Sequence, residues 1–595
     1  MRFKFSAMLA IAFCTLCSGA GQTAEMTASG IVYETAVEFD SESAARAAQL
    51  EFLPLPEGKQ VAFSTRWDDT NPKHLRMAEL LTKYGFRGTF YLTGFNQEFC
   101  PKLISDGHSI GNHTLNHRDL TALVPNEIAR QILQNRVELE SQSNREVNAF
   151  VLPYCRFWRS DNPLSSNWIG EALRRSGELG GPEYYQDLDK KYGMQPNNWF
   201  GSLLFTVNDR NPDANRFDRE VEKRLKLLET RQFIHMTLGI HTWQDEKGFA
   251  TLARCFEKYG NRPQWWYCNE NEYLSYRFVY HNTTVLKKEV EGSKAIFTLR
   301  QASPASTGAY VPLWAKVIPA AKDGKKIIAL NNPDLRPKKI EAIRTTGNQM
   351  SSAKKFPGFS AGFVYDSEKQ LLRLKLVNHT GKTIAPISAT YRLPLLFGDF
   401  QGGYRIPLGP LKNGASLDSE LILSRGIQKS PIYHSGSLFF AAEINFKISG
   451  ESQRLWVCTS YEFPKNKEAV PRDQAMGYGP FAAGSFGSIK AEWKPMLNLP
   501  VLLPAFVKIP RSAKEEYAVR LNVIAKHKGD YPFHINRKNV KAFYLNGQKL
   551  TLPLPLRLPL KQGKNEVIAV VTANGEESVF AFSQNGKLEQ MLVCE

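Results

Sequence analysis

The sequence predicts a multidomain protein: an N-terminal domain of parallel βα units, gathered into a barrel or a sheet, followed by β-sandwich domains. Three observations carry this. At 595 residues the chain is too long for one hydrophobic core, so about two to four domains are expected. Between residues 60 and 152 short apolar runs alternate with helical patterns, which indicates parallel βα units. After about residue 278 helical periodicity fades, and alternating runs broken by turn residues take over, as in β-sandwiches.

The chain opens with a secretory pattern. Arg2 and Lys4 precede an apolar run, residues 7–17, that is short for a bilayer span. Ser18-Gly19-Ala20 offers a cleavage site, with Ala24 the alternative. Residues 1–24 are therefore expected to be a signal peptide, an N-terminal anchor being the other reading. No later segment is long and apolar enough to cross a membrane, so the mature chain is expected to be exported to the periplasm, cell surface or medium. Loss of Arg2 and Lys4 takes the formal net charge from +18 to +16. That charge favours anionic surfaces such as acidic polysaccharide or cell envelope. No basic run or motif supports nucleic acid as a partner. Six cysteines remain after the leader: Cys100, Cys155, Cys255, Cys268, Cys458 and Cys594. An oxidising compartment permits disulfides, and Cys255 with Cys268 is the favoured pair. Residues 25–60 read as an N-terminal extension.

Residues 60–65 (Q-V-A-F-S-T) form a β-like run ending at Arg66-Trp67-Asp68-Asp69. Adjacent carboxylates repel unless something positive lies near. A metal ion would satisfy one and leave the other free to take a proton; a helix N-cap pair is the alternative. A helix over 72–84 follows, with Leu75, Ala78 and Leu81 on one face and Gly85 closing it. Residues 88–92 are a second strand, and a helical stretch near 98–105 leads to Gly107–His117, G-H-S-I-G-N-H-T-L-N-H. His113 and His117, four apart, share one face of a helix or tight turn, so two ring nitrogens can meet one cation. A solvated histidine pair is the alternative, and a third ligand is needed. Residues 125–141 read as a helix with Ile128, Ile132 and Leu139 on one face. Residues 147–152 read as a strand ending at Pro153-Tyr154. The Asp pair, the His pair and the Pro-Tyr corner each follow a strand, so all three gather at one rim. Two imidazoles and one carboxylate leave metal positions open for water and substrate, as catalytic sites require.

The order Asp68-Asp69, His113-Thr114-Leu115-Asn116-His117, Pro153-Tyr154 resembles the NodB-type polysaccharide deacetylases, carbohydrate esterase family 4, over roughly residues 60–280. The resemblance implies a distorted (β/α) barrel and a divalent metal, usually zinc, held by Asp69, His113 and His117. It implies Asp68 as general base, Thr114 as support of the loop, and the Tyr154 backbone N–H in the oxyanion hole. The general acid it implies is a late histidine at a strand end. His241, closing the run 236–241, fits; His235, of the same side-chain parity, would sit deeper as a core histidine. Trp67 stands where the family has Phe. The family's arginine before the third motif is missing, and Arg156 or Arg66 would have to supply its charge. Asp209 matches poorly the aspartate that tunes the acid histidine.

Trp67, Trp158 and Trp243 flank the motifs, where flat faces can stack on pyranose rings; Trp265 and Trp266 read as core. Residues 266–276 look like the closing helix. Residues 319–337 are basic and Pro-containing, a linker or loop. The expected division is 1–24, 25–60, 61–280 (deacetylase-like), 281–508 (β-sandwich region) and 509–595 (small β-sandwich). The function expected is removal of acetyl groups, N-acetyl by family habit, from a polysaccharide. An O-acetyl esterase on plant or algal polymer, and a catalytically weak glycan binder, are the alternatives.

Overall fold

A computed structural model describes residues 31–123, 125–157, 165–180 and 203–301, most of 309–462, and parts of the chain beyond. Residues 1–24, expected to be a leader, and Trp158 lie outside the described residues.

The first half is built on a parallel sheet. Its strands are β3 (Val61–Asp68), β4 (Gly88–Leu92), β5 (Ser109–Asn112), β6 (Leu203–Phe205), β7 (Ile234–His241) and β8 (Trp265–Tyr267), after β1 (Ile31–Glu38) and β2 (Gln49–Phe52), which pair elsewhere. The spatial order is β5-β4-β3-β7-β6, with β8 also pairing β3. β3 and β7 run in register from Val61↔Ile234 to Asp68↔His241. Because all these strands are parallel, Asp68, Leu92, Asn112 and His241 end at one rim. Strand alternation sorts the side chains. Val61, Phe63 and Trp67 of β3 join the core beneath helices α2 (His74–Lys83) and α7 (Glu246–Tyr259). Ala62 faces the opposite side with Tyr91, Tyr273 and Leu274, and the same parity carries Ser64, Arg66 and Asp68. Gly85 ends α2 with φ +74°, and a Cβ there would stand 2.1 Å from Asn261 Oδ1; the position requires glycine.

Between these lie α1 (Glu42–Ala47), α3 (Cys100–Ser105), α4 (Pro125–Ser143), α5 (Ser165–Ser176) and α6 (Ala214–Leu225), with α8 (Glu270–Asn282) closing the set. The expected amphipathic helix at 125–141 is buried on more than one face. Ile128 and Ile132 pack in one core, Leu133 and Val137 in another, and Leu139 under the parallel sheet. The expected strand at 147–152 is not one. It touches β5 through a single bridge, Asn112↔Phe150, because the N–H groups of Asn148 and Ala149 donate instead to Asn271 Oδ1.

β1 pairs antiparallel with β10 (Lys294–Gln301), which pairs with β9 (Thr283–Glu291). This sheet and α8 share a core of Val37, Phe39, Tyr276 and Phe297. The 319–337 stretch is not a bare linker. Its strand Ile327–Ala329 pairs with Trp314–Ile318, which pairs with β2. Further on, a five-stranded sheet (order 340–345, 451–462, 437–448, 385–392, 404–405) and a four-stranded sheet (351–352, 359–366, 371–378, 416–422) share one core. One pair in the first, Ile340–Thr345 with Glu451–Glu462, is parallel. Two further sheets follow in the last third. None of the described helices is long and apolar enough to cross a membrane. The expected Cys255–Cys268 disulfide is absent. Both are free buried thiols, packed in different cores.

Candidate metal centre

Asp68 is the last residue of β3, nearly fully buried. Arg66, two residues earlier and so on the same face, donates from Nη2 to Asp68 Oδ2 at 3.2 Å. The other carboxylate oxygen, Oδ1, is buried with no hydrogen-bond partner among the described residues. Asp69 begins the turn with φ +69°, a conformation Asp tolerates better than most residues. Its carbonyl is held by the buried His74 ring on α2, whose Nδ1 lies 3.2 Å from Thr242 Oγ1. The second residue of the pair is thus turned out of the sheet while the first points along its inner face.

His113 follows β5 directly. Its N–H donates to Leu92 O at 3.1 Å, and its Nδ1 donates to Val151 O at 3.0 Å. With the Nδ1 proton committed to a carbonyl, the neutral ring presents a lone pair at Nε2. Nε2 stands 3.4 Å from Asp69 Oδ1. His117 Nε2 stands 3.1 Å from the same oxygen. The histidine segment is a tight turn, not a helix: Thr114 has φ +68° and His117 φ +56°. Thr114 Oγ1 accepts from the His117 N–H at 3.1 Å, and Asn112 Oδ1 accepts from the Thr114 N–H at 3.0 Å. One donor atom each from Asp69, His113 and His117 lie within 4.8 Å of one another. Lone pairs converging this closely repel unless a cation lies between them, so the donor set fits a divalent metal. The contact with His113 chiefly holds the Asp69 carboxyl below its ordinary range, burial opposing. Burial, then repulsion from His113, lowers His117. Both shifts favour the ligand forms.

His241 ends β7 opposite Asp68. Its Nε2 is 3.7 Å from Asp69 Oδ2, and its Nδ1 is 3.3 Å from Asp209 Oδ2, close but off hydrogen-bond alignment. Asp209 Oδ1 also accepts from the His241 N–H at 3.0 Å. Burial alone would lower the His241 pKa; the contact with Asp209 and the charges of Asp68, Asp209 and Asp69 outweigh it, and the pKa is raised. Asp209 therefore does sit beside His241. Its local sequence matches poorly because the loop before α6, rather than a recognisable motif, carries it back to the strand end. His235 lies deep, its Nε2 2.9 Å from Ser64 Oγ and its ring stacked on Tyr273, and burial lowers its pKa to about 3.

Tyr154 has φ +58° in a 3₁₀ turn and packs its exposed ring 4.7 Å from that of His117. Arg156 pairs with Asp119 at 2.9 Å, so Arg66 is the cation at Asp68. Trp67 is fully buried, with Nε1 donating to Thr65 Oγ1, so the expected sugar-stacking role fails for it. Trp243 is 42% exposed, stacked on His241 at 3.9 Å and 12°. Sequence reasoning missed His74. Its signal was a histidine five residues after Asp69, hidden inside an amphipathic helix.

Residues 57–164 match the family model for polysaccharide deacetylase. The uncharacterized protein YlxY of Bacillus subtilis (strain 168) is 32% identical over 102 residues, 16% of this chain and 32% of that protein. The peptidoglycan-N-acetylmuramic acid deacetylase PdaA of the same organism is 29% identical over 82 residues, 13% of this chain and 31% of that protein. The chain thus spans about a third of the length of these relatives. The structure of the peptidoglycan deacetylase PdaC from Bacillus subtilis aligns at 17% identity and TM-score 0.23, covering 36% of this chain and 89% of that one. The family match falls on the stretch that holds the Asp pair, the His pair and the Pro-Tyr corner, so residues 57–164 are a polysaccharide deacetylase-like region.

Proposed function

We propose that this chain is an exported, metal-dependent deacetylase that removes acetyl groups, N-acetyl by preference, from a polysaccharide. The observation that carries the reading is the meeting of Asp69, His113 and His117 donor atoms beside a buried carboxylate with one open oxygen, Asp68 Oδ1. A bound divalent ion, zinc by family habit, would polarise the acetyl carbonyl and acidify water. Asp68 Oδ1 takes the proton of the attacking water, while Arg66 donates to the other carboxylate oxygen, Oδ2, and holds the group in place. The backbone N–H of Tyr154 donates to the developing oxyanion. His241, its pKa raised beside Asp209, delivers its proton to the departing amine. Exposed faces of Tyr154 and Trp243 flank the site and suit stacking on sugar rings.

We read residues 1–24 as the leader, 25–60 as an extension, and 61–280 as a distorted (β/α) barrel. We read residues 281–508 as a β-sandwich region, although its first strands, 283–301 and 314–329, join the sheets of β1 and β2, and 509–595 as a small β-sandwich. The deciding experiment is acetate release from a panel of acetylated glycans by wild type and Asp68→Asn. Release from chitooligosaccharides that Asp68→Asn loses supports the proposal. Release only from acetylated xylan assigns an O-acetyl esterase. Bound metal without acetate from any polymer assigns a glycan binder.

A further inference from the structure

α4 has two occupations. Along one side it clasps the turn that carries the histidines. Leu115 N–H donates to Gln131 O at 2.9 Å, and Asn112 Nδ2 donates to Ile132 O at 2.9 Å. Asn135 Nδ2 donates to Asn112 Oδ1 and to Leu92 O, both at 2.8 Å. Leu92 O is also the acceptor for the His113 N–H. The residues on both sides of His113, Asn112 by its side chain and Leu115 by its backbone, are therefore hung on residues 131–135.

One turn further on, α4 turns its charges to the hairpin 437–448/451–462. Glu140 is fully buried. Its Oε2 accepts from Arg454 Nη1 at 2.8 Å and Trp456 Nε1 at 2.9 Å, and its Oε1 accepts from Arg136 Nε and Val147 N–H at 3.0 Å. Arg454, 1% exposed, also pairs with Glu146 and with Glu443 at 3.1 Å. Glu443 pairs with Arg392 at 2.6 Å. A second route returns to the site. Arg136 Nη1 donates to Ser176 O, and nearby Glu178 accepts from Asn112 Nδ2 at 2.8 Å.

A buried ion network gains little over apolar packing as an adhesive, and its attested use is to fix one registry. A sheet merely appended to an enzyme needs no such network beneath the helix that holds the metal-ligand turn. We propose that Arg454, from outside the stretch matching the deacetylase family, is a positioning residue for the His113–His117 turn, acting through α4. The β-sheet region is then a working part of the metal centre. The proposal rests on reading Asp69, His113 and His117 as metal ligands.

The test uses the full chain with Arg454→Lys and Trp456→Phe. Lysine keeps the charge but lacks the planar fork that serves several acceptors at once. Trp456→Phe removes one donor to Glu140 and keeps an aromatic ring in the core, at the cost of the volume of the second ring. Two readings are taken: zinc affinity by competition with a chromogenic chelator, and amide hydrogen exchange over residues 112–117. Both variants are expected to exchange faster at 112–117 and to bind zinc about 10-fold more weakly, at the low end of what outer-shell changes cost. Exchange changes confined to 437–462, with zinc affinity within about twofold of wild type, overturn the proposal. Should Arg454→Lys fail to fold, Trp456→Phe carries the same comparison. A wild type that binds no zinc removes the ligand reading, while the exchange measurement still decides the coupling through α4.

Discussion

Arg66 Nη2 stands 3.2 Å from Asp68 Oδ2, with both side chains almost fully buried on one face of one strand. The cation beside Asp68 thus comes from two residues upstream on the same strand, and Asp68 is the base in the proposed reaction. Arg66→Met is therefore expected to lower acetate release by at least about 10²-fold, the lower range for a general base, with zinc still bound. Activity that survives this change while Arg156→Met abolishes it would give the role to Arg156.

Removing a first ligand has a different signature. Asp69→Asn and His113→Ala are expected to lose zinc as well as activity, whereas Asp68→Asn keeps zinc at wild-type stoichiometry and loses about 10²–10⁴-fold in rate. Metal analysis of the purified variants separates the two groups. Full zinc content in His113→Ala would remove it from the ligand set.

The sign of the pH response follows from Asp209. The charges around His241 raise its pKa, so the protonated acid persists to higher pH. Asp209→Asn removes one of those charges and is expected to move the alkaline limb of the pH–rate profile to lower pH. An unmoved limb would mean that another group sets it.

Glu178 gives a stability prediction. Burial raises its carboxyl from 4.5 to about 8, outweighing the Arg136 charge and the Asn112 hydrogen bond. The native state holds this proton longer than the unfolded chain does. The stability tied to the neutral form is complete below about pH 4.5 and is lost as pH rises through about 8, at no more than about 1.4 kcal/mol per pH unit. Glu178→Gln cannot ionise. Its Tm is expected to gain on that of wild type between pH 5 and 8, and parallel curves in that window would count against the assignment.

Local chemistry was legible in the sequence. The Asp pair and the His pair follow short strands, and strand parity alone separates Asp68 from Asp69. The same parity puts Arg66 beside Asp68. What stayed hidden lay across space. Asp209 returns to His241 from a loop with no pattern of its own, and His74 is masked by the periodicity of α2. The stretch at 147–152 looks like a strand because it is apolar, but Asn271, more than a hundred residues away, takes its N–H groups. The expected Cys255–Cys268 disulfide fails because each thiol enters a different core, which the spacing of cysteines in the sequence cannot reveal.

The Glu140–Arg454 pair joins positions 314 residues apart. At about 5–20 residues per second of synthesis, the helix carboxylate waits on the order of 15–60 s for its guanidinium. A nascent chain ending before residue 437 holds Glu140 and Glu146 without their late counter-charge. Limited proteolysis of stalled or truncated chains should then cut within 112–143, and cutting should cease once the 437–462 hairpin has emerged. The stretch that matches the family would thus be the earliest made and among the last to become rigid.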